Sequence, residues 1–226
     1  MTTLVLGAHG PLGLAIVRAA LEGDQQVIAA VQAPHRLPPA LADLREEHPA
    51  RLTALLWQRG QGPQLPPIDR ALITELPIPP SPGDEPDDAT ADLRTLGADA
   101  AARDVLTLLA QTLAALQLVA AIRPRRLLVQ GSWLGSIEEK VRGGGYVVGT
   151  AYAAHLMLCR TAALDLSRDG IATVVGNAGR YRLDMAGPGF HADVDDVARG
   201  LLAVLDNCVV TPEPEFRDWR GTARRW

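Results

Sequence analysis

Three glycines, Gly7, Gly10 and Gly13, lie where an apolar strand, Leu4-Val5-Leu6, gives way to apolar residues at helical spacing from Leu12 to Leu21. In Gly7-Ala8-His9-Gly10-Pro11-Leu12-Gly13 the absent side chains let the backbone turn tightly and come close to a bound group. A helix that starts there offers free N–H groups and a partial positive charge, which together suit a pyrophosphate. Pro11 fits the first helical turn, where its missing N–H costs nothing. The same residues also make a tight strand-to-helix turn that holds no ligand, and the segment alone does not separate the two readings. A dinucleotide site adds an acid at the end of the second strand for ribose hydroxyls, or an arginine for a 2′-phosphate. Here Gln32 takes that position; it can hydrogen-bond a ribose but has no charge. Nearby Arg36 can meet a 2′-phosphate or lie in solvent.

Other groups capable of chemistry are spread along the chain. His9 sits in the glycine turn, within reach of a phosphate, whereas His155, on a long helix, reads as a packed core histidine. Ser132 follows an apolar strand and either donates a hydrogen bond to a substrate or caps the strand end. Tyr152 is expected to project toward Ser132 and can serve as an acid. No lysine lies one turn away to lower its pKa, so packing is the competing role. Trp133, Arg142 and Tyr146 flank Gly143-Gly144-Gly145 in a loop expected to border a cleft. The acids from Asp84 to Asp88 lack metal-ligand spacing and read as a solvated loop, so no metal is expected.

The elements that must position these groups alternate. Strands are expected at Leu4–Leu6, Gln26–Val31, Leu52–Trp57, Arg70–Thr74, Arg126–Gly131 and Ile171–Val175. Helices are expected at Leu12–Leu21, Pro39–Glu47, Ala100–Ile122, Gly149–Arg168 and Val194–Leu205. Gly60–Pro67 has no helical period, and Pro77–Asp88, with five prolines and four acids, reads as an exposed loop. Uniformly apolar strands alternating with helices imply an α/β, Rossmann-type, doubly wound parallel sheet with helices on both faces, in one domain spanning 1–226.

Composition narrows the partners. A formal net charge of −4 gives no electrostatic footprint for nucleic acid or an anionic membrane, so a small molecule is the expected ligand. Cys159 and Cys208 are far apart in apolar surroundings and read as core residues in a reducing compartment. The start of the chain has no signal-peptide pattern. Val105–Ile122 is interrupted at Thr107, Gln111, Thr112 and Gln117, which makes it an amphipathic helix instead of a membrane span. A cytoplasmic protein is expected.

From Leu4 to about Leu205 the chain resembles the short-chain dehydrogenase/reductase superfamily, and Phe216-Arg217-Asp218-Trp219-Arg220-Gly221 through Trp226 is similar to its small C-factor-like branch. The most specific segment is Arg182-Leu183-Asp184-Met185-Ala186-Gly187-Pro188-Gly189, similar to an R-T-D-M-G-G-P-G loop that shapes the substrate side of the family cleft. The resemblance implies an NAD or NADP cofactor, with Gly7, His9, Gly10, Pro11, Leu12, Gly13, Gln32, Arg36 and Thr74 on its binding side. It also implies carbonyl chemistry in which a Ser polarises the oxygen, a Tyr moves the proton and a Lys lowers the Tyr pKa. The Ser falls on Ser132. Counting without a gap puts the Tyr on Val148 and the Lys on Tyr152. A second register, Tyr152-Ala153-Ala154-His155-Leu156, needs a deletion within the helix and still lacks the Lys. The family's Thr falls on Leu183, its Pro-Gly on Ala178-Gly179, and its N-N-A-G on Thr74-Glu75-Leu76-Pro77. The expected protein is a short-chain dehydrogenase/reductase-like nucleotide binder whose carbonyl reduction is impaired or lost. It is either an atypical oxidoreductase using Ser132 and Tyr152, a non-redox catalyst such as a dehydratase, isomerase or cyclase, or a non-catalytic regulatory protein. In the family the two long helices build a dimer interface, so a homodimer through Ala100–Ile122 and Gly149–Arg168 is expected.

Overall fold

The computed structural model describes residues 1–32, 36–58, 63–74, 98–182 and 192–226. Its strands are β1 (Thr2–Leu6), β2 (Gln26–Gln32), β3 (Leu52–Trp57), β4 (Arg70–Ile73), β5 (Arg126–Gly131), β6 (Ala172–Asn177) and the short β7 (Tyr181–Arg182), β8 (Ala192–Asp193) and β9 (Glu215–Asp218). The helices are α1 (Pro11–Glu22), α2 (Pro39–Glu47), α3 (Ala98–Ile122), α4 (Tyr146–Arg168) and α5 (Val194–Asp206). Seven strands form one parallel sheet in the order β3-β2-β1-β4-β5-β6-β9, while β7 and β8 pair separately.

Side chains alternate along each strand, so one strand feeds two cores. Val5, Val27, Ala29, Leu72 and Val174 face α1, α2 and α5. Their neighbours Leu4, Leu6, Ile28, Ile73 and Val129 face α3 and α4. This burial on both faces is what uniformly apolar strands demand, and it confirms the doubly wound arrangement read from the sequence. The order reverses between β1 and β4, so a crevice opens beyond their carboxyl ends, where ligands bind in open α/β sheets.

At the opposite, amino end of these strands, Arg70 begins β4 and is almost fully buried. Its Nε donates to Thr3 Oγ1 at 2.8 Å, and its guanidinium also reaches Gln25 Oε1 and the Asp206 carboxylate. One side chain thus ties β1, the α1–β2 turn, β4 and the end of α5 at the face away from the crevice.

Two element readings require correction. A seventh strand, β9, pairs with β6, where six were expected; it is only four residues long and its polar Glu215, Arg217 and Asp218 hide it from a pattern search. Tyr146, expected in a loop, instead opens α4, because Gly145 at φ 59° provides the left-handed step that starts the helix. The Pro77–Asp88 loop lies outside the described residues, as do Leu183–Gly189 of the most specific family-like segment.

α3 and α4 are each long and apolar enough to cross a membrane by length and composition. In the fold they lie side by side on the sheet, with Ala115, Val119, Leu156 and Cys159 buried against it.

Candidate active site

At the switch point the strand-to-helix turn is fixed by backbone bonds. Gly7 and Ala8 donate N–H to Ala30 O at 3.1 and 3.3 Å, Gly10 N–H reaches Gly7 O at 3.1 Å, and Leu14 N–H reaches Gly10 O at 2.9 Å. Gly7 sits at φ 91°, a conformation costly for any residue with a Cβ. Gly13 is required for a different reason: a Cβ there would lie 2.2 Å from Gly7 O and 2.9 Å from Thr74 Oγ1. The helix therefore starts hard against the end of β1.

Pro11 has no N–H, α1 has no side-chain cap, and among the described residues neither Leu12 nor Gly13 gives its N–H to a backbone acceptor. Two amides and the positive end of a twelve-residue helix are thus left facing the crevice, the donor set that a pyrophosphate takes. His9 lies half-buried within this turn.

Thr74 is buried at the end of β4. Its N–H and its hydroxyl both bind Leu6 O at 2.9 Å, so its hydroxyl braces the glycine turn. Gln32 is buried at the end of β2 beside Trp57 of β3, and Arg36 is exposed beyond it. The residues expected around a nucleotide therefore converge on the carboxyl ends of β1, β2 and β4. The residues present fit the pyrophosphate of a dinucleotide at this turn.

Across the switch point, Ser132 leaves β5 and caps the short 3₁₀ turn Trp133–Gly135, its Oγ accepting from Leu134 N at 3.3 Å. Accepting that bond leaves the hydroxyl proton available for a substrate oxygen, so capping and donation are compatible. The 3₁₀ turn presses on α4 so closely that a Cβ on Gly135 would meet the Tyr152 carbonyl carbon at 2.3 Å. Tyr152 itself is buried with Leu108, Val148 and Ala151, with Leu134 packed against them. Its phenol pKa is pushed above the ordinary value near 10, first by burial and then by the neighbouring Tyr181. Among the described residues no cation opposes that shift, and Val148 is a core residue of the same cluster.

Sequence reasoning missed Asn177. At the end of β6, its Oδ1 accepts from Trp133 N at 3.3 Å and from Gly179 N at 3.2 Å, fastening the exits of β5 and β6 to each other. The available signal was an Asn closing an apolar strand two residues before Gly179, which adopts φ 67°.

His155 is wholly buried between α3, α4 and β5. Its Nε2 lies 2.9 Å from Gln130 O, its Nδ1 3.1 Å from Thr112 Oγ1, and Cys159 Sγ is 3.5 Å from Nε2. A carbonyl can only accept, so Nε2 bears the proton and Nδ1 accepts from Thr112. Burial holds its pKa below the usual 6.5, which fits a packed core histidine, as the sequence implied. Cys159 and Cys208 are both buried, and burial pushes the pKa of both thiols up. Among the described residues no group of three or more His, Cys, Asp or Glu could hold a metal ion.

The loop between the 3₁₀ turn and α4 borders two adjoining cavities. One, of about 370 Å³, is lined by Trp133, Leu134, Lys140, Arg142 and Arg180 among others. The second, of about 460 Å³, shares Leu134, Lys140 and Arg142 and adds Tyr146 and Thr150.

No family model matches the chain. It is similar to the C-signal protein of Myxococcus xanthus, at 32% identity over 102 residues that cover 45% of this chain and 61% of that one. It is also similar to the 1-hydroxy-2-glutathionyl-2-methyl-3-butene dehydrogenase of Rhodococcus sp. (strain AD45), at 29% identity over 126 residues, 51% of this chain and 55% of the relative. The chain thus spans less than two thirds of either relative. Among solved structures, a short-chain dehydrogenase/reductase of Burkholderia multivorans with bound NADP superposes over 100% of this chain and 99% of its own, with a TM-score of 0.78 and 23% identity. The carbonyl reductase Sniffer of D. melanogaster does so with a TM-score of 0.76 and 19% identity. The fold of this chain is that of the short-chain dehydrogenases and reductases.

Proposed function

We propose that this chain is a member of the short-chain dehydrogenase/reductase superfamily that binds NADP or NAD at the glycine turn and in which ordinary carbonyl reduction is impaired or lost. The observation that carries this reading is the asymmetry of the cleft. The turn retains Gly7, Gly13 and the two outward amides, whereas Val148 and Tyr152 occupy the positions that the ungapped register gives to the Tyr and Lys. The NADP held by the Burkholderia structural relative and the dehydrogenase activity named for the Rhodococcus relative are consistent with it.

Under this reading the Leu12 and Gly13 amides hold the pyrophosphate. Gln32 and Arg36 lie on the ribose side, and Thr74 secures the turn from beneath. The bound nicotinamide would supply or accept hydride; the protein's part is to orient a carbonyl and manage its proton. Ser132 can donate to the carbonyl oxygen. Tyr152 is a weak acid and a worse base at neutral pH, because burial and Tyr181 disfavour its phenolate and no lysine favours it. Proton transfer is therefore slow even where a cofactor binds.

Titrating NADPH and NADH into the purified protein by calorimetry tests the reading. Binding in the micromolar range supports it, and no binding at millimolar cofactor sinks every redox version. With binding present, unchanged turnover in Tyr152→Phe assigns the tyrosine to packing. A protein that binds nucleotide without turning any over is then the regulatory alternative.

We further infer a cytoplasmic homodimer. Leu106 and Leu113 on α3, and Met157 and Leu164 on α4, recur seven residues apart and stay exposed on helices whose other faces are buried. A second copy that covers them accounts for the apolar length of both helices without a membrane. Sedimentation of Leu113→Glu/Met157→Glu should show a monomer where the parent is a dimer.

A further inference from the structure

Gln130, one residue before the end of β5, is polar, buried and unused by the core. Leu128 belongs to the face covered by α1, α2 and α5, and Val129 to the face covered by α3 and α4, so alternation returns Gln130 to the first. The residue is 7% exposed, and its Oε1 is buried with no hydrogen-bond partner among the described residues. Its backbone cannot move to find one. Gln130 is in register with Gly176 of β6, and its main-chain O accepts from His155 Nε2 at 2.9 Å.

The neighbours explain the orphan. One step beyond the Ile73–Val129 pair, Thr74 of β4 stands beside Gln130, and one step beyond the Leu6–Ile73 pair, Gly7 stands beside Thr74. Thr74 gives its hydroxyl proton to Leu6 O at 2.9 Å and has none left for Gln130. Gly7 and Gly176 have no side chain, and Ala178, next on this face beyond Gly176, is apolar. An acceptor buried in this way bears its full desolvation cost until a donor reaches it.

Thr74, Gln130 and Gly176 make the last row of this face before the crevice. The row runs beneath the first turn of α1, since a Cβ on Gly13 would lie 2.9 Å from Thr74 Oγ1. If a dinucleotide's adenosine half extends from the glycine turn toward Gln32 on β2, its nicotinamide half extends the other way, over β4 and β5. Ser132 has extended backbone, φ −131° and ψ 133°, two residues past Gln130. The two side chains therefore leave the same side of the chain about 6–7 Å apart. A carbonyl held by Ser132 must meet the hydride carbon of the nicotinamide, and the ring's carboxamide is on the carbon next to it.

The geometry points to Gln130 as the residue that holds this carboxamide, with Oε1 accepting a hydrogen bond from its NH₂ group. The contact fixes which edge of the ring faces Ser132. This role rests on the proposed nucleotide reading and adds to it a cofactor-binding residue on β5.

Calorimetry can delete the donor and the acceptor separately and together. NADP⁺ is compared with its 3-acetylpyridine analogue, in which CH₃ replaces the carboxamide NH₂, on the parent and on Gln130→Met, a side chain of similar length. The NAD⁺ pair is used instead where NAD⁺ binds more tightly. The parent should prefer the natural dinucleotide about three- to tenfold, the range of one neutral hydrogen bond, and Gln130→Met should cut that preference below about twofold. The ADP-ribose counterpart, which lacks the ring, should bind parent and variant alike. Without ligand, Gln130→Met should unfold at the parent's urea midpoint or above it, because the oxygen removed has no partner to lose.

A preference that survives the substitution, or that the parent does not show, overturns the proposal and leaves the nucleotide reading standing. So does a variant that weakens the ADP-ribose counterpart as much as the dinucleotide, or one with a lower urea midpoint, which marks the amide as engaged within the protein. No binding of NADP⁺ or NAD⁺ at millimolar concentration removes the nucleotide reading and the role of Gln130 together.

Discussion

Gly13→Ala isolates the contact that sets the glycine turn. The added Cβ would stand 2.2 Å from Gly7 O and 2.9 Å from Thr74 Oγ1. The nearer atom is a backbone oxygen, fixed because Gly7 N–H is bonded to Ala30 O and Gly10 N–H to Gly7 O. No rotamer change relieves it, so α1 must shift along its axis or β1 must end earlier. Alanine gains about 1 kcal/mol over glycine in helix propensity. Overpacking typically costs about 1–3 kcal/mol, and this contact belongs at or above the top of that range. A net loss of about 2 kcal/mol follows, or roughly 4–8 °C in melting temperature for a chain of this size. Gly10→Ala is the control: its Cβ would lie 3.7 Å from the same oxygen, at an ordinary φ of −80°. It should stay within about 0.5 kcal/mol of the parent. Urea denaturation with both variants, beside NADPH titration, decides the matter. Adding Thr74→Ala to Gly13→Ala should not restore stability, because the closer clash is with backbone. A Gly13→Ala protein as stable as the parent would refute the close-approach argument, and rescue by Thr74→Ala would move the clash to the side chain.

Three further outcomes follow from the same geometry. His155 is neutral when folded, with its pKa held below 6.5 by burial, so the unfolded chain binds more protons once the pH drops below about 6.5. Its contribution is complete above that pH and falls by up to about 1.4 kcal/mol per unit as the medium is acidified, and urea titrations of His155→Gln should show a shallower acid slope than the parent. Arg70→Met removes a buried cation and strands Thr3 and Gln25; a loss of about 3 kcal/mol or more is expected by urea denaturation, with NADPH affinity little changed because Arg70 lies at the amino end of β4, away from the crevice. Val148→Tyr/Tyr152→Lys rebuilds the acid and its neighbouring cation in the ungapped register. It should raise NADPH-dependent reduction of a test aldehyde at least tenfold over the parent despite an overpacking cost of about 1–3 kcal/mol in the Leu108 cluster, and no gain would argue for the gapped register.

The layers of this fold were legible because each rests on a local rule. Doubly buried strands must be apolar along their middles, and β1, β2, β4 and β5 are, their buried polar residues Thr3, Gln32, Arg70 and Gln130 lying at or near the strand ends. β9 escaped that rule: as an edge strand it can keep Glu215, Arg217 and Asp218 half-exposed and needs only Phe216 in the core. The glycine turn was legible as well, since both its positive φ and its close packing exclude side chains. Asn177 was not, because what it does depends on two amides, one 44 residues away in sequence, and no local pattern encodes that. Thr74 was read from the sequence as a residue on the cofactor side; the bond from its hydroxyl to Leu6 O, which braces the turn, spans 68 residues and has no local signature.

The two halves of the proposed cleft place different demands on sequence, and under the proposed reading this bears on why the proton-transfer half has changed more. Pyrophosphate binding at the turn uses backbone amides and a helix terminus, so it persists as long as Gly7 and Gly13 permit the geometry and Thr74 holds the strand end. Proton transfer needs two particular side chains one turn apart: without the tyrosine there is no phenol, and without the lysine nothing stabilises its anion. Val148 and Tyr152 form a small apolar cluster with Leu108 and Ala151, a packing that a lysine at the second position would disrupt by burying an ammonium. Gaining that packing and keeping a carbonyl reductase's proton relay are alternatives at the same two positions. Under the proposed reading, a chain that has taken the first can still hold a nucleotide at the glycine turn.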